Sequence, residues 1–322
     1  MKEIFNLFDL NIHFPITDPT WIFFLVLVII LFAPIVLERL RIPHIIGMIL
    51  AGIVIGEHGF NILARDSSFE LFGKVGLYYI MFLAGLEMNM EDFKSIRVKA
   101  TVLGLLAFVI PLAIGIWTNV SLLGYTITAS VLLASMYASH TLIAYPIVIR
   151  YGINRQRSVN IAVGGTAVTD TITLLVLAVV GGMYKGEYSE MFWVWLALKV
   201  ILIGGFIMIT FPRIGRWFFR RYNDNVVQYI FVMAMVFLGA GLMEFVGMEG
   251  ILGAFLAGLV LNRLIPHVSP LMSHLEFVGN ALFIPYFLIG VGMLIDLNVL
   301  FGHIDSLKVA SVMIVVALGG KW

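Results

Sequence analysis

The chain has 322 residues, 61% of them hydrophobic and only 12% charged, with a formal net charge of +1 and a mean hydropathy of +1.03. Soluble domains carry about twice that share of charge, so the composition reads as an all-α polytopic membrane protein, with the lipid bilayer as its solvent. Nothing points to a nucleic-acid partner, because no basic tract is interleaved with aromatics, and the absence of cysteine rules out disulfides and thiol chemistry.

The N-terminal stretch does not read as a cleavable signal. It carries Asp9, Asp18, Pro15 and Pro19 and lacks a basic segment leading into a short apolar core. Apolar runs of bilayer length, or a little less, then follow at 21–38, 43–56, 70–88, 100–117, 122–149, 158–183, 191–211, 226–245, 250–262, 277–295 and 307–322. Eleven spans are predicted, the second and ninth of them short.

The basic residues give the threading. Arg39 and Arg41 follow the first span; Lys94, Arg97 and Lys99 the third; Arg150, Arg155 and Arg157 the fifth. Arg213, Arg216, Arg220 and Arg221 follow the seventh, and Arg263 the ninth, so the odd-numbered loops hold 13 of the 20 Lys and Arg. Positive charge accumulates on the cytoplasmic side. The expected orientation therefore has these loops in the cytoplasm, the N-terminus outside, and the chain in the cytoplasmic (inner) membrane.

An internal repeat is also legible. Gly47, Leu50, Ala51, Gly52 and Val54 recur as Gly253, Leu256, Ala257, Gly258 and Val260. Leu77, Phe82, Leu83, Gly85 and Met88 recur as Leu282, Phe287, Leu288, Gly290 and Met293, at offsets of 206 and 205 residues. The offset pairs spans one to four with spans eight to eleven. An odd number of crossings separates the partners, so the second copy runs the opposite way, which is a transporter architecture. The division expected is a first six-helix repeat over 1–183, a linker helix and loop over 184–225, and an inverted, incomplete repeat over 226–322. Spans five and six would find partners beginning near 327 and 363, so about 11 of 13 spans are expected here, in a C-terminally truncated chain.

One charge stands out in this apolar sequence. Asp170 lies near the middle of the sixth span, where a carboxylate is costly and so marks a functional site. Thr166, Asp170 and Thr173 fall at i, i+4 and i+7, on one helix face, with Thr169 beside them. The fifth span holds 28 residues, more than a straight crossing needs. It carries Ser139, His140 and Thr141 as a polar knot, with Pro146 five residues beyond Thr141. That pattern predicts either a helix unwound at membrane depth, whose free carbonyls and half-helix ends face an ion, or a tilted, Pro-kinked helix with its hydroxyls bonded to its own backbone. His140 reads as hydrogen-bonded scaffold. Lys321 is a second buried ionisable group, and the remaining histidines show no metal-site spacing.

RIPHIIGMILAGIVIGEHGF, FLAGLEM, ASHTLIAYPIV, GGTAVTDT and FLIGVGMLID, followed by Lys321, resemble in sequence and order the membrane domain of the monovalent cation:proton antiporter-2 family. That family includes sodium/proton exchangers and glutathione-gated potassium efflux transporters. The resemblance implies an inverted-repeat antiporter fold with discontinuous helices. It implies that Asp170 binds cation and proton in alternation, that Ser139, His140 and Thr141 lie on the first broken helix, and that Lys321 is the family's buried lysine. Electrogenic members place a second Asp before the essential one, where this chain has Thr169. A homodimer, without a cofactor, is implied as well.

The expected function is secondary antiport of a monovalent cation, Na⁺ first among them, against H⁺, competing at Asp170, with hard-oxygen ligands from Ser139, Thr141, Thr166 and Thr169. The first alternative is a K⁺/H⁺ antiporter or regulated potassium efflux transporter. A cation channel or a transporter-like sensor is more remote. An intramembrane enzyme lacks any Ser/Lys dyad, Asp pair or metal cluster to support it.

Overall fold

The computed structural model describes residues 14–39, 44–87, 90–138, 156–184, 192–266, 268–302 and 304–320. Its helices are α1 (Pro19–Glu38), α2 (His44–Ile55), α3 (Ser67–Glu87), α4 (Met90–Ser121), α5 (Ile127–Ala138), α6 (Arg157–Tyr184) and α7 (Phe192–Arg221). They continue as α8 (Asn225–Phe245), α9 (Gly250–Leu261), α10 (Pro270–Val278), α11 (Ile284–Met293), α12 (Leu297–Gly302) and α13 (Ile304–Gly319). Among the described residues six helical segments are long and apolar enough to cross a membrane, α10 and α11 counting as one segment. The protein is a multi-pass membrane protein.

Each predicted span overlaps a helix, the fifth over its described residues Ile127–Ala138. Two helices run further than predicted. α7 continues to Arg221, so Arg213, Arg216, Arg220 and Arg221 ride on its last turns instead of in a loop. α4 starts at Met90 and so takes in Lys94, Arg97 and Lys99. Lys and Arg are good helix formers, and α7 runs on through Pro212, which lies just past the end of its apolar run.

Helix starts follow local chemistry. The Asp18 carboxylate accepts from the Thr20 and Trp21 backbone N–H at 2.9 and 3.1 Å, ahead of Pro19 at the first helical position. The Asp224 carboxylate caps α8 in the same way, accepting from Val227 N–H at 2.9 Å. These two caps lie 206 residues apart. So do both ends of α2 and α9, each of 12 residues. The repeat seen in the apolar motifs therefore extends to helix boundaries and capping.

The chain forms two compact units. Unit 1 takes residues 1–80 and 274–303; unit 2 takes 81–273 and 304–322. Unit 1 packs α1, α2, the first part of α3, and α11 around Val26, Phe69, Tyr286 and Ile289, each at most 2% exposed. The Tyr79 hydroxyl donates to the Leu275 carbonyl at 2.9 Å. Between α10 and α11 the helix widens into a π turn over Gly279–Phe283. Pro285 follows at once. Its ring clashes with the carbonyl four residues back, and the wider turn relieves that clash.

Glycines set the closest helix approaches, as they do where membrane helices pack without a hydrophobic drive. In unit 1 a methyl on Gly52 of α2 would strike the Ile289 carbonyl oxygen and lie 2.9 Å from Gly292 Cα, both on α11. In unit 2 a methyl on Gly258 of α9 would strike the Phe82 carbonyl oxygen and lie 3.0 Å from the Leu86 nitrogen, both on α3. Gly52 and Gly258 are repeat partners. The second span of one copy thus packs on the third span of the other, and the reverse holds as well. This reciprocity is what an inverted duplication produces.

Candidate functional site

The acid-bearing helix α6 is held in unit 2 by α4 and α5. Two glycines bring α4 and α6 together: a methyl on Gly104 would lie 2.5 Å from the Gly165 oxygen and 2.8 Å from Val168 Cβ. That approach buries the neighbouring hydroxyl residues, leaving Thr166 5% and Thr169 2% exposed. Asp170, next along the helix, is half-buried.

The two buried hydroxyls are oriented by their own helix. Thr166 Oγ1 donates to the Ala162 carbonyl at 2.8 Å, and Thr169 Oγ1 donates to the Thr166 carbonyl at 2.8 Å. A hydroxyl that donates to the backbone keeps its lone pairs free. Both side chains can therefore still offer oxygen to a cation.

Thr173, one turn beyond Asp170 on the same stripe, donates from Oγ1 to the Ser135 carbonyl oxygen at 3.4 Å. Ser135 belongs to the last turn of the described part of α5. Its own hydroxyl donates to the Leu132 carbonyl at 2.7 Å. The Asp170 stripe therefore borders an array of hard-oxygen groups of the kind that suits an alkali cation. Gly320, just after α13, lies against Pro111 of α4, where an added methyl would come 3.1 Å from the proline Cα.

Of the site residues expected from the sequence, Thr166, Thr169 and Asp170 lie together on α6, as the spacing predicts. Ser139, His140, Thr141 and Lys321 lie outside the described residues. The bend expected at 139–141 lies there too. The sequence reading passed over two features: the Gly104–Gly165 contact that buries the threonines, and the Thr173–Ser135 bond that joins α6 to α5. A glycine doublet at 164–165 immediately before the hydroxyl stripe was the available signal for the first.

The family model described as "Sodium/hydrogen exchanger, transmembrane" matches residues 26–321, nearly the whole chain. The chain belongs to the sodium/hydrogen exchanger family. This sodium/hydrogen exchanger homologue is 40% identical, over 304 residues, to the Na(+)/H(+) antiporter NhaS5 of Synechocystis sp., an alignment covering 94% of the chain and 43% of that relative. It is 23% identical over 283 residues to the cation/H(+) antiporter 18 of Arabidopsis thaliana, covering 80% of the chain and 34% of the relative. The chain thus spans less than half the length of either. Among solved structures, the sodium proton antiporter MjNhaP1 from Methanocaldococcus jannaschii superposes with a TM-score of 0.73 at 18% identity, covering 94% of this chain and 76% of that one. At that identity the likeness is one of fold, and it agrees with the transporter architecture read from the repeat.

Proposed function

We propose that the chain is a secondary active antiporter that exchanges a monovalent cation, Na⁺ first among them, for H⁺ by alternating access, the two ions competing at Asp170. One observation carries the reading. Asp170 sits half-buried on the 28-residue helix α6, beside two buried threonines and one turn from the bond to Ser135 of α5. A single carboxylate can be satisfied by a proton or by a metal ion but not by both at once. If only the loaded forms reorient, exchange is obligatory and a proton gradient drives the cation out.

The relatives named as Na(+)/H(+) and cation/H(+) antiporters support the choice of ions. Thr166 and Thr169 are assigned as oxygen ligands, together with Ser139 and Thr141; His140 and Lys321 are assigned supporting roles. The charge bias of the loops supports a cytoplasmic-membrane location with the N-terminus outside. The repeat supports a division into 1–183, a linker over 184–225, and 226–322. A homodimer is proposed from the family resemblance alone.

The test is transport. In proteoliposomes with a trapped pH-sensitive dye, cation-dependent proton movement is measured for Na⁺, Li⁺ and K⁺. Wild type exchanges Na⁺, and Asp170→Asn abolishes exchange while eluting as folded protein. Normal exchange by the variant would overturn the assignment. A response to K⁺ above Na⁺ would instead favour the potassium/proton reading.

A further inference from the structure

Away from Asp170, unit 2 buries a second group of polar side chains where α4 ends and α5 begins. Asn119 and Ser130 are fully buried and Tyr137 is 6% exposed. Asn119 Nδ2 donates to the Ser130 carbonyl oxygen at 3.3 Å, which draws the start of α5 onto the last turn of α4. The Tyr137 phenol lies on Gly115, where an added methyl would strike its oxygen and come within 2.7 Å of Cε2. Thr118 and Asn119 flank that phenol within electrostatic reach of its hydroxyl, but neither meets it at hydrogen-bond geometry. Gly115, Thr118 and Asn119 occupy one face of α4, so all of these groups meet in one place.

The Thr118 hydroxyl is already committed, donating to the Gly115 carbonyl at 3.1 Å. Three other oxygens are not: Asn119 Oδ1, Ser130 Oγ and the Tyr137 hydroxyl are buried with no hydrogen-bond partner among the described residues. Buried polar groups are nearly always paired, with protein or with ordered water. One acceptor-only oxygen and two hydroxyls form a set that a water molecule completes, since water donates to the amide oxygen and both accepts from and donates to hydroxyls. All three groups are neutral and supply no charge to offset a bare cation, so water is the ligand that fits.

The helix carrying Ser130 and Tyr137 is also the one tied to the acid-bearing helix. Ser135, between them in sequence, accepts from Thr173, one turn from Asp170. We propose that Asn119, Ser130 and Tyr137 hold a buried water that serves as a station on the proton's route to Asp170 from the end of unit 2 where α4 meets α5. The proposal rests on the reading of Asp170 as the exchanging carboxylate.

Two measurements on the reconstituted full chain test it. In X-ray hydroxyl-radical labelling, Tyr137 should be modified in wild type despite its burial. Asn119→Leu combined with Ser130→Ala should reduce that labelling about five-fold, because removing the water's other partners removes the water. An unlabelled Tyr137 in wild type, or labelling unchanged in the double variant, would overturn the water site. In dye-loaded vesicles, Tyr137→Phe keeps the ring and removes the hydroxyl. Its maximal exchange rate should fall about ten-fold, as expected when a proton-transfer group is lost, with the KM for Na⁺ unchanged. Ser130→Thr, which keeps a hydroxyl, should retain most of the rate, whereas Ser130→Ala should not. Wild-type rates in both Tyr137→Phe and Ser130→Ala would overturn the relay. Asp170→Asn is assayed beside them. If it exchanges normally the carboxylate reading fails; if it is inactive while Tyr137→Phe runs at full rate, the relay alone fails.

Discussion

Gly258→Ala tests the reciprocal packing of the two repeats. The added methyl would lie 3.0 Å from the Leu86 nitrogen and 3.1 Å from the Phe82 carbonyl carbon, and closer still to the Phe82 oxygen. Comfortable non-bonded separations are about 3.5–4.0 Å, and every neighbour concerned is backbone, which cannot rotate away. α3 and α9 must therefore part by about 1 Å, opening a packed interface along its length. Overpacking of this kind costs about 1–3 kcal/mol, which should lower the melting temperature of the detergent-solubilised protein by roughly 2–8 °C. Gly52→Ala, its repeat partner, meets the Ile289 carbonyl in the same way and should lose a similar amount. Gly205→Ala is the control: it lies inside α7 with nothing within 4 Å of the new methyl, and it should gain about 0.5–1 kcal/mol, because alanine restricts the unfolded chain and favours helix. A Gly258→Ala protein as stable as wild type, beside a measurable gain at Gly205, would refute the packing argument.

Thr166→Val and Thr169→Val remove hydroxyls that donate to carbonyls of their own helix. Stability should therefore change by less than about 0.5 kcal/mol, while the apparent KM for Na⁺ rises at least about three-fold if each hydroxyl offers a lone pair to the ion; melting curves and transport titrations separate the two effects. Asn262 Nδ2 donates to the Leu86 carbonyl near the end of α3, so Asn262→Ala should cost about 0.5–1.5 kcal/mol with exchange kinetics intact, read by thermal unfolding alongside the vesicle assay. Acidification should weaken Na⁺ binding, since protons occupy the site the cation needs: on the acid side the apparent KM should rise about ten-fold per pH unit for a one-for-one competition, measured as KM across a pH series.

Much of the fold was legible in the sequence because the bilayer forces it to be. A crossing must be long and apolar, so the predicted spans overlap helices wherever the residues are described. Gly52, Gly253 and Gly258 carried the repeat for a physical reason: they sit where helices touch backbone to backbone, whereas Gly47 faces the Leu37 side chain. The caps at Asp18 and Asp224 hold the same spacing, yet a single polar residue before an apolar run gave no reason to compare two positions so far apart. The Asp170 stripe was readable from helical spacing because Thr166, Asp170 and Thr173 share one segment. Contacts between segments were not readable. The bond from Thr173 to a backbone carbonyl leaves no mark in side-chain identity at position 135. Asn119 lies just past the predicted fourth span and drew no reading; only the arrival of Ser130 and Tyr137 from α5 makes it part of a buried cluster. The π turn before Pro285 likewise inserts no residue type that marks it in advance.

The central claim is that one carboxylate exchanges its proton for a metal ion, and proton release on cation binding tests it most directly. Purified protein in lightly buffered detergent solution is titrated with NaCl at a pH where the site is partly protonated, with choline chloride as the ionic-strength control. Displacement predicts an acidification that saturates with Na⁺, approaches about one proton per site as the starting pH falls, and disappears in Asp170→Asn. Equal proton release from wild type and Asp170→Asn, or Na⁺ binding to wild type with no release at any pH, would contradict it.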